Sequence, residues 1–583
     1  MIKHPFGSDQ TLLVRALNAT RQTYLPSYVG LRLIGLQLPK GENDFLERML
    51  IRRLNAGEQW RYKGFSMYKG STISELGLTH EYRNCLAPSP LTSLAESAIL
   101  MMLAKIPAFA SASRAYSYRW PASQTAGVSY QHFVEGYKQR NDDVAKALEI
   151  PDYVAVITDI RSFYPSATKD QVERALSSLF ECSEAKFRVH QDAITSFYAR
   201  LLDVSGNGIP IGPASGHVLG HLVLREVDNE LTSAYGIKYF RYVDDIVVVC
   251  PASQEKHVRD HIKLCLRSNG FTTNEEKTIT VDELGWKQNL IQEDVPDADS
   301  FRALTRDLTV YLALHPDRAD GLKTMFYESG FSIPVDRLRA LSTYPRFRYF
   351  ITRRKTRQGI KHALHIWLST NSTFLERAAR IRHIYEQSLT ALVGSEVDLS
   401  PNLKRWQIQR VRRIVNSLFY LRSFGEWSRR HEAFDAFPEL VEQTALAEAL
   451  ATGTVNSVLP FYGRGPAAFA ELWSEYGVGG ARLDPVEHVS DITLDGIASL
   501  RLSGTLSENA VSGITSETRL LGLTRDLPPL RRSNPDLTFE DELESLRLGR
   551  SGEKIAQLVK SRHSTAEGTA LDALSLMSSE YRS

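Results

Sequence analysis

Cysteine is scarce in this 583-residue chain, and its placement is uninformative for metal chemistry. The four cysteines are Cys85, Cys182, Cys250 and Cys265, and none is spaced as a metal-binding pair. Cys250 and Cys265 fall in apolar surroundings, where a reduced thiol packs as a small hydrophobe. Long apolar runs are missing as well. The longest, Ala98 to Ala104, ends at Lys105 and Pro107 and is too short to span a bilayer. No signal-peptide pattern, low-complexity tract or clean repeat is visible. An excess of one charge is also lacking. With 70 Lys+Arg against 68 Asp+Glu, formally +2, the molecule as a whole is not a basic nucleic-acid binder. These absences lead to the expectation of a soluble, cytoplasmic protein with no membrane partner. Its length suits about two to four domains with sizeable cores.

What is present begins with Phe240-Arg241-Tyr242-Val243-Asp244-Asp245-Ile246-Val247-Val248-Val249-Cys250. Two adjacent carboxylates sit between apolar, β-branched runs, the pattern of a β-hairpin with the acids at its turn. Neighbouring acids on a strand point apart, but at a tight turn both can lie near one edge. Such a pair is either a solvated turn or a site that needs a divalent cation to offset its repulsion. A third acid closes another short apolar strand, Tyr153 to Asp159, followed by Ile160-Arg161-Ser162-Phe163-Tyr164-Pro165-Ser166. An Asp where a buried strand leaves the core is a cap for the next turn or a ligand. Between these sites lies Gly208-Ile209-Pro210-Ile211-Gly212-Pro213-Ala214-Ser215-Gly216, a glycine- and proline-shaped loop whose backbone amides can face a ligand. A helix-like stretch, Val218 to Leu231, follows it. Beyond the hairpin come an amphipathic segment, Glu255 to Ser268, and Asn274-Glu275-Glu276-Lys277-Thr278.

These elements, in this order, resemble the palm of reverse transcriptases. Asp159 to Ser166 is similar to motif A, Gly208 to Gly216 to motif B, Tyr242-Val243-Asp244-Asp245 to motif C, and Asn274 to Thr278 to motif D. Upstream, Ser113 to Trp120 is similar to a fingers segment of these enzymes. The chain departs from the pattern at Ile211, where many members carry glutamine, and that departure puts strict templating in doubt. Leu284-Gly285-Trp286 is a vestige of motif E at best, and no thumb is evident. The large helical half beyond Asn289 resembles that of the bacterial abortive-infection enzymes, the AbiK-like group of phage-defence reverse transcriptases. Retron and group II intron enzymes share the same motifs.

The fold this resemblance implies is α+β: right-hand polymerase fingers and palm, then an all-α domain with helical-repeat stacking in place of the thumb. The expected divisions are 1–150 for a helical and fingers region, 151–288 for the palm and 289–583 for the helical domain. The resemblance also implies roles. Asp159, Asp244 and Asp245, with the Ile160 carbonyl, would bind two Mg²⁺ ions ~4 Å apart for in-line phosphoryl displacement on a dNTP. The amides of Ser162 and Phe163 would hold the triphosphate, with Pro210 and Gly212 beside the nucleotide. Tyr164 would form the steric gate beneath the sugar, and Lys277 would serve the leaving pyrophosphate. The expected product is single-stranded DNA, covalently attached through a tyrosine and made without a template by a homo-oligomer. An RNA-copying enzyme of retron or group II type, with an RNA partner, and a non-catalytic assembly protein on the same fold are the alternatives.

Charge is unevenly spread along the helical half. From Arg346 to Arg430 there are 18 Lys+Arg and five acids. Within that window Arg346, Arg348, Arg353, Arg354, Lys355 and Arg357 are interleaved with Tyr344, Phe347, Tyr349 and Phe350. Cations mixed with aromatics suit a phosphate backbone and stacked bases. A solvated basic helix face, or an interface to an acidic partner, has the same composition.

Overall fold

A computed structural model describes residues 10–23, 27, 31, 45–55, 60–75, 77–110, 112–121, 129–131, 133–181, 191–206, 208–234, 236–290, 300–341, 357–394, 401–428, 432–462, 464–485 and 490–507. The described residues divide into two units. One takes those up to Phe65 and those from Asn84 to Leu290; the other takes Ser66–Arg83 and those from Ser300 to Ser507.

The first unit contains helices α1 (Gln10–Thr23), α2 (Phe45–Asn55), α3 (Pro90–Leu103), α4 (Phe133–Leu148), α5 (Lys169–Glu181), α6 (Gln191–Ser205), α7 (Gly216–Val223), α8 (Arg225–Ser233), α9 (Glu255–Ser268) and α10 (Glu283–Leu290). Its strands are β3 (Tyr153–Asp159), β4 (Lys238–Tyr242), β5 (Asp245–Pro251) and β6 (Ile279–Val281). A hairpin of β1 (Tyr62–Ser74) and β2 (Gly77–Pro88) starts and ends in this unit. The longest apolar run of the sequence proves to be a core helix. In α3, Ser89 caps the first turn by accepting from the Thr92 amide, Pro90 opens the helix, and nearly every side chain is buried.

Strand order is β4-β5-β3-β6, and the neighbouring strands run antiparallel. Both faces of the sheet are covered, which explains why β5 reads as an unbroken apolar run rather than an alternating one. On one face Val156, Ile246, Val248 and Cys250 pack with side chains of α5, α7 and α9. On the other, Ala155, Phe240, Val247 and Val249 pack with Val144, Ala147 and Leu148 of α4 and Trp286 of α10. Leu284-Gly285-Trp286, read from sequence as the trace of a further motif, is thus a turn of helix whose tryptophan closes the sheet. The stretch Val218 to Leu231, read as one helix, is two, parted at Leu224.

In the second unit, the secondary structure of the described residues between 301 and 502 is helical. They include α11 (Phe301–Leu314), α12 (Ala319–Glu328), α13 (Val335–Leu341), α14 (Arg357–Leu368), α15 (Asn371–Gly394), α16 (Pro401–Leu421), α17 (Glu432–Ala436), α18 (Val441–Thr452), α19 (Gly465–Tyr476) and α20 (Asp491–Leu502). Their shared core includes Phe301, Tyr311, Phe374 and Tyr420. The part of the hairpin in this unit adds Tyr68, which packs with Ala445 and Phe461. Inside the core Asp307, with a fully buried side chain, is held by Arg377 Nη1 at 2.7 Å, His362 Nε2 at 3.0 Å and Arg306 Nε at 3.3 Å. Gly453 ends α18 at φ 72°, the left-handed closure that favours glycine. Among the described residues no helix is long and apolar enough to cross a membrane. Arg346, Arg348, Arg353, Arg354 and Lys355 lie outside the described residues, and Arg357 opens α14.

Candidate active site

The antiparallel register of β3 and β5 sets Asp159 opposite Asp245. Tyr242 pairs with Asp245 across the hairpin, so Val243 and Asp244 alone form its turn. The end of β3 is zipped on both sides: the Ile160 amide donates to the Asp244 carbonyl at 3.2 Å, and the Asn274 amide to the Asp159 carbonyl at 2.9 Å. That second bond brings the Asn274–Thr278 segment alongside. Lys277 Nζ consequently lies 2.6 Å from Asp159 Oδ2. Asp159, expected to bind metal, and Lys277, expected to serve the leaving pyrophosphate, thus form an ion pair.

The electrostatics are those of crowded acids. Asp159 is 8% exposed, and its Oδ1 is buried without a hydrogen-bond partner. Burial, then the charges of Asp245 and Asp159, push the Asp244 carboxyl up to about 7, with Lys277 opposing them. Asp245 is the exposed member of the set. As the side chains stand, no three acidic, histidine or cysteine groups among the described residues enclose an ion. The donor set nevertheless fits one. An orphaned buried carboxylate oxygen, a neighbour destabilised by like charge, and a third acid directly across the ladder are hard oxygen ligands whose repulsion a divalent cation would relieve.

The turn that presents Asp244 is strained. Val243 has φ 57°, a left-handed conformation rare for a β-branched residue. Its carbonyl accepts from Arg241 Nη1 at 2.8 Å, and its amide donates to Ser117 Oγ at 3.0 Å. Arg241 is itself buried and grips Asp228 of α8 with two contacts, Nε–Oδ1 at 2.7 Å and Nη2–Oδ2 at 2.6 Å. Tyr239 donates its hydroxyl to the same Oδ1 at 2.8 Å. His221 completes the set. Its Nε2 donates to the Ser117 carbonyl at 2.9 Å, leaving Nδ1 to face Arg241 Nη2 at 3.3 Å. Burial and the Arg241 charge lower this imidazole to about 3, in keeping with a neutral ring. Sequence reading missed Asp228, Ser117, His221 and the role of Arg241. A signal was there: Arg241 interrupts an apolar strand, and a cation so placed needs a buried partner. Ser113–Trp120, the segment similar to fingers, runs beside β4. The Tyr116 amide donates to the Arg241 carbonyl and the Arg241 amide to the Arg114 carbonyl, both at 2.9 Å.

The remaining residues lie on the chain that follows β3 and on the loop that precedes α7. Ser162, exposed and at φ 49°, turns the chain into the single helical turn Phe163–Ser166. Phe163 is buried against Phe271, and Tyr164 is half-buried. Gly208 takes φ 72° and Gly212 φ 117°. A Cβ at Gly212 would run into the Leu86 carbonyl, so the loop tolerates no side chain there. Pro210 is buried and Gly212 exposed. The Ile211 carbonyl accepts from the Leu86 amide at 2.8 Å, stitching the loop to β2. Ser215, at the head of α7, is held by Glu96 of α3, which is fully buried and accepts from both the Ser215 amide and hydroxyl. Asp159, Ile160, Ser162, Phe163, Tyr164, Pro210, Gly212, Asp244, Asp245 and Lys277 thus all belong to one unit; Asp159, Ile160, Asp244, Asp245 and Lys277 meet at one end of the sheet.

Residues 145–301 match the family described as reverse transcriptase (RNA-dependent DNA polymerase). No curated protein matches the chain. Among solved structures, telomerase from Candida albicans in complex with a TWJ fragment of telomeric RNA is similar at 12% identity and a TM-score of 0.25. That similarity covers 69% of this chain and 66% of the telomerase chain. The sheet with its three acids falls wholly inside the matched span, and the chain therefore carries a reverse transcriptase domain at residues 145–301.

Proposed function

We propose that this protein is a DNA polymerase of the reverse transcriptase type and that Asp159, Asp244 and Asp245 are its catalytic acids. The observation that carries this reading is the register that sets Asp159 against Asp245 with Asp244 at the adjoining turn. These carboxylates and the Ile160 carbonyl would hold Mg²⁺, which when bound lowers the pKa of an attacking hydroxyl and offsets charge on the leaving group. The chain's own groups do the rest. Lys277, held against Asp159, would screen or protonate pyrophosphate. The amides of Ser162 and Phe163 would receive the triphosphate, and Pro210 and Gly212 shape the loop beside the nucleotide. Tyr164 would lie beneath the sugar and favour deoxynucleotides.

We infer further that synthesis is template-independent and primed from a tyrosine of the protein, in a homo-oligomer serving antiphage defence. Ile211 supports this, since it supplies no polar side chain where glutamine commonly stands. So does the helical make-up of the described residues from 301 to 502, where a thumb would grip a duplex. The test is incubation with labelled dNTP and Mg²⁺, without template or primer, followed by a denaturing gel. Label should co-migrate with protein, be released by protease, and vanish in Asp244→Asn. Protease-insensitive product that requires added RNA would replace this reading with an RNA-copying enzyme. Undiminished labelling in Asp244→Asn would remove the acids from the mechanism.

A further inference from the structure

Tyr164 is fixed from three directions, all by one stretch of chain. Its backbone carbonyl accepts from the Ile209 amide at 2.8 Å. Gly220 of α7 lies against its ring: a Cβ there would stand 3.8 Å from Tyr164 Cε1 and 3.3 Å from Phe163 Cε1. The Tyr164 hydroxyl shares a hydrogen bond with His217 Nδ1 at 2.9 Å. His217 and Gly220 are three residues apart on α7 and so share a face. His217 is itself immobilised. The Tyr118 ring stacks on it with centroids 3.4 Å apart and planes 8° from parallel. Burial lowers the imidazole to about 3, so the ring stays neutral through the working pH range.

We propose that His217 is a positioning residue for sugar selection, holding the Tyr164 hydroxyl so that the ring stands where a ribose 2′-hydroxyl would have to fit. The inference rests on the reading of Tyr164 as the residue beneath the incoming sugar. A phenol ring turns about two side-chain bonds. Gly220 limits its swing on one side, and among the described residues the hydrogen bond to His217 pins its far end. Without that bond the ring is free to tilt away, and the space it excluded opens to a 2′-hydroxyl. Selectivity then belongs to a pair, Tyr164 and His217, rather than to the tyrosine alone.

The experiment measures the ratio of dNTP to rNTP incorporation, with Mg²⁺, in the parent, Tyr164→Phe, His217→Phe, the double variant and Tyr164→Ala. A ratio does not change when a fraction of the protein fails to fold. Tyr164→Phe deletes a single oxygen, so it tests the bond even where His217→Phe disturbs packing. Each single variant should lower the preference for dNTP by about three- to tenfold, the worth of one hydrogen bond. The double variant should lower it no further, because both changes remove the same bond. Tyr164→Ala should lower it most. A parental ratio in His217→Phe and Tyr164→Phe, with a collapsed ratio in Tyr164→Ala, overturns the role of His217 and leaves the gate standing. Losses that multiply in the double variant also overturn it. An unchanged ratio in Tyr164→Ala overturns the reading of Tyr164 itself.

Discussion

Replacing the buried Asp228–Arg241 pair by apolar residues should cost this protein its activity and not its fold. Both side chains are 1% exposed. Removing one partner alone strands a buried charge, at about 3–5 kcal/mol. For a unit of this size that lowers the thermal midpoint by roughly 6–20 °C. Single substitutions are therefore uninformative about function. Removing both charges is different, because a well-packed apolar replacement of a buried pair is often neutral or stabilising. Tyr239 must change with them, since its hydroxyl donates to Asp228 and would otherwise be orphaned. The test variant is Asp228→Leu, Tyr239→Phe, Arg241→Met. It keeps the apolar environment but strips the Val243 carbonyl of its Arg241 donor. A left-handed valine stores about 1–3 kcal/mol of strain, then opposed on this side only by Ser117. The turn should relax and carry Asp244 with it, and a displacement near 1 Å costs on the order of 100-fold in rate. The assay pairs a thermal melt with the rate of dNTP incorporation. The expected outcome is a midpoint within about 5 °C of the parent and a rate reduced about 100-fold. A triple variant that keeps both stability and rate refutes the argument. One that unfolds does so too, because the pair would then be there for stability.

Two further predictions concern charge. Burial and neighbouring acids hold the Asp244 carboxyl near 7 against an ordinary 3.8, so the folded protein without metal prefers it protonated and loses stability as pH rises through that interval. Mg²⁺ should therefore raise the thermal midpoint at pH 8 in the parent and much less in Asp244→Asn, which should start from a higher value; equal shifts in the two would refute this. In the other unit, burial pushes the Asp307 carboxyl up, but hydrogen bonds and charges from His362, Arg306 and Arg377 outweigh it and hold the group at about 2. Its folded value lies below its unfolded value, so stability present above about pH 4 should be lost as pH falls toward 2, by about 2 kcal/mol. Asp307→Asn should flatten that part of the acid-unfolding curve, and an unchanged curve would refute the assignment.

The parts of the site that were legible in the sequence are those where one local preference decides. Tyr153–Asp159 and Glu255–Ser268 have the same ends in sequence and structure, because a β-branched run and an amphipathic period each stop at a polar residue. The hairpin around Asp244 was visible for the same reason. The β1–β2 hairpin was not. Its residues are largely polar and half-exposed, and it offers no apolar run to read. Gly465-Pro466 has the composition of a loop but opens α19, proline being suited to a first helical turn. The break at Leu224 has no glycine or proline to announce it. Lys277 could be placed near motif D by resemblance, but its contact with Asp159 depends on how two distant segments zip together.

Strain marks the boundary of what a sequence can reveal here. Among the described residues four that are not glycine have positive φ: Tyr118, Asp152, Ser162 and Val243. Three of them border the acids. Local propensity argues against each: valine and tyrosine avoid this region, and two-residue hairpin turns favour Asn-Gly or Asp-Gly over Val-Asp. Val243 and Tyr118 each have a partner far away in sequence. Val243 is pinned by Ser117 and Arg241, and Tyr118 is stacked on His217, which in turn meets Tyr164. The same short segment, Ser113–Trp120, thus supports the turn bearing Asp244 through Ser117 and the ring beneath the proposed sugar site through Tyr118. A shift of that segment would disturb metal binding and nucleotide choice together. On the proposed reading the two functions would be coupled through strained backbone, and that coupling is invisible in any motif taken alone.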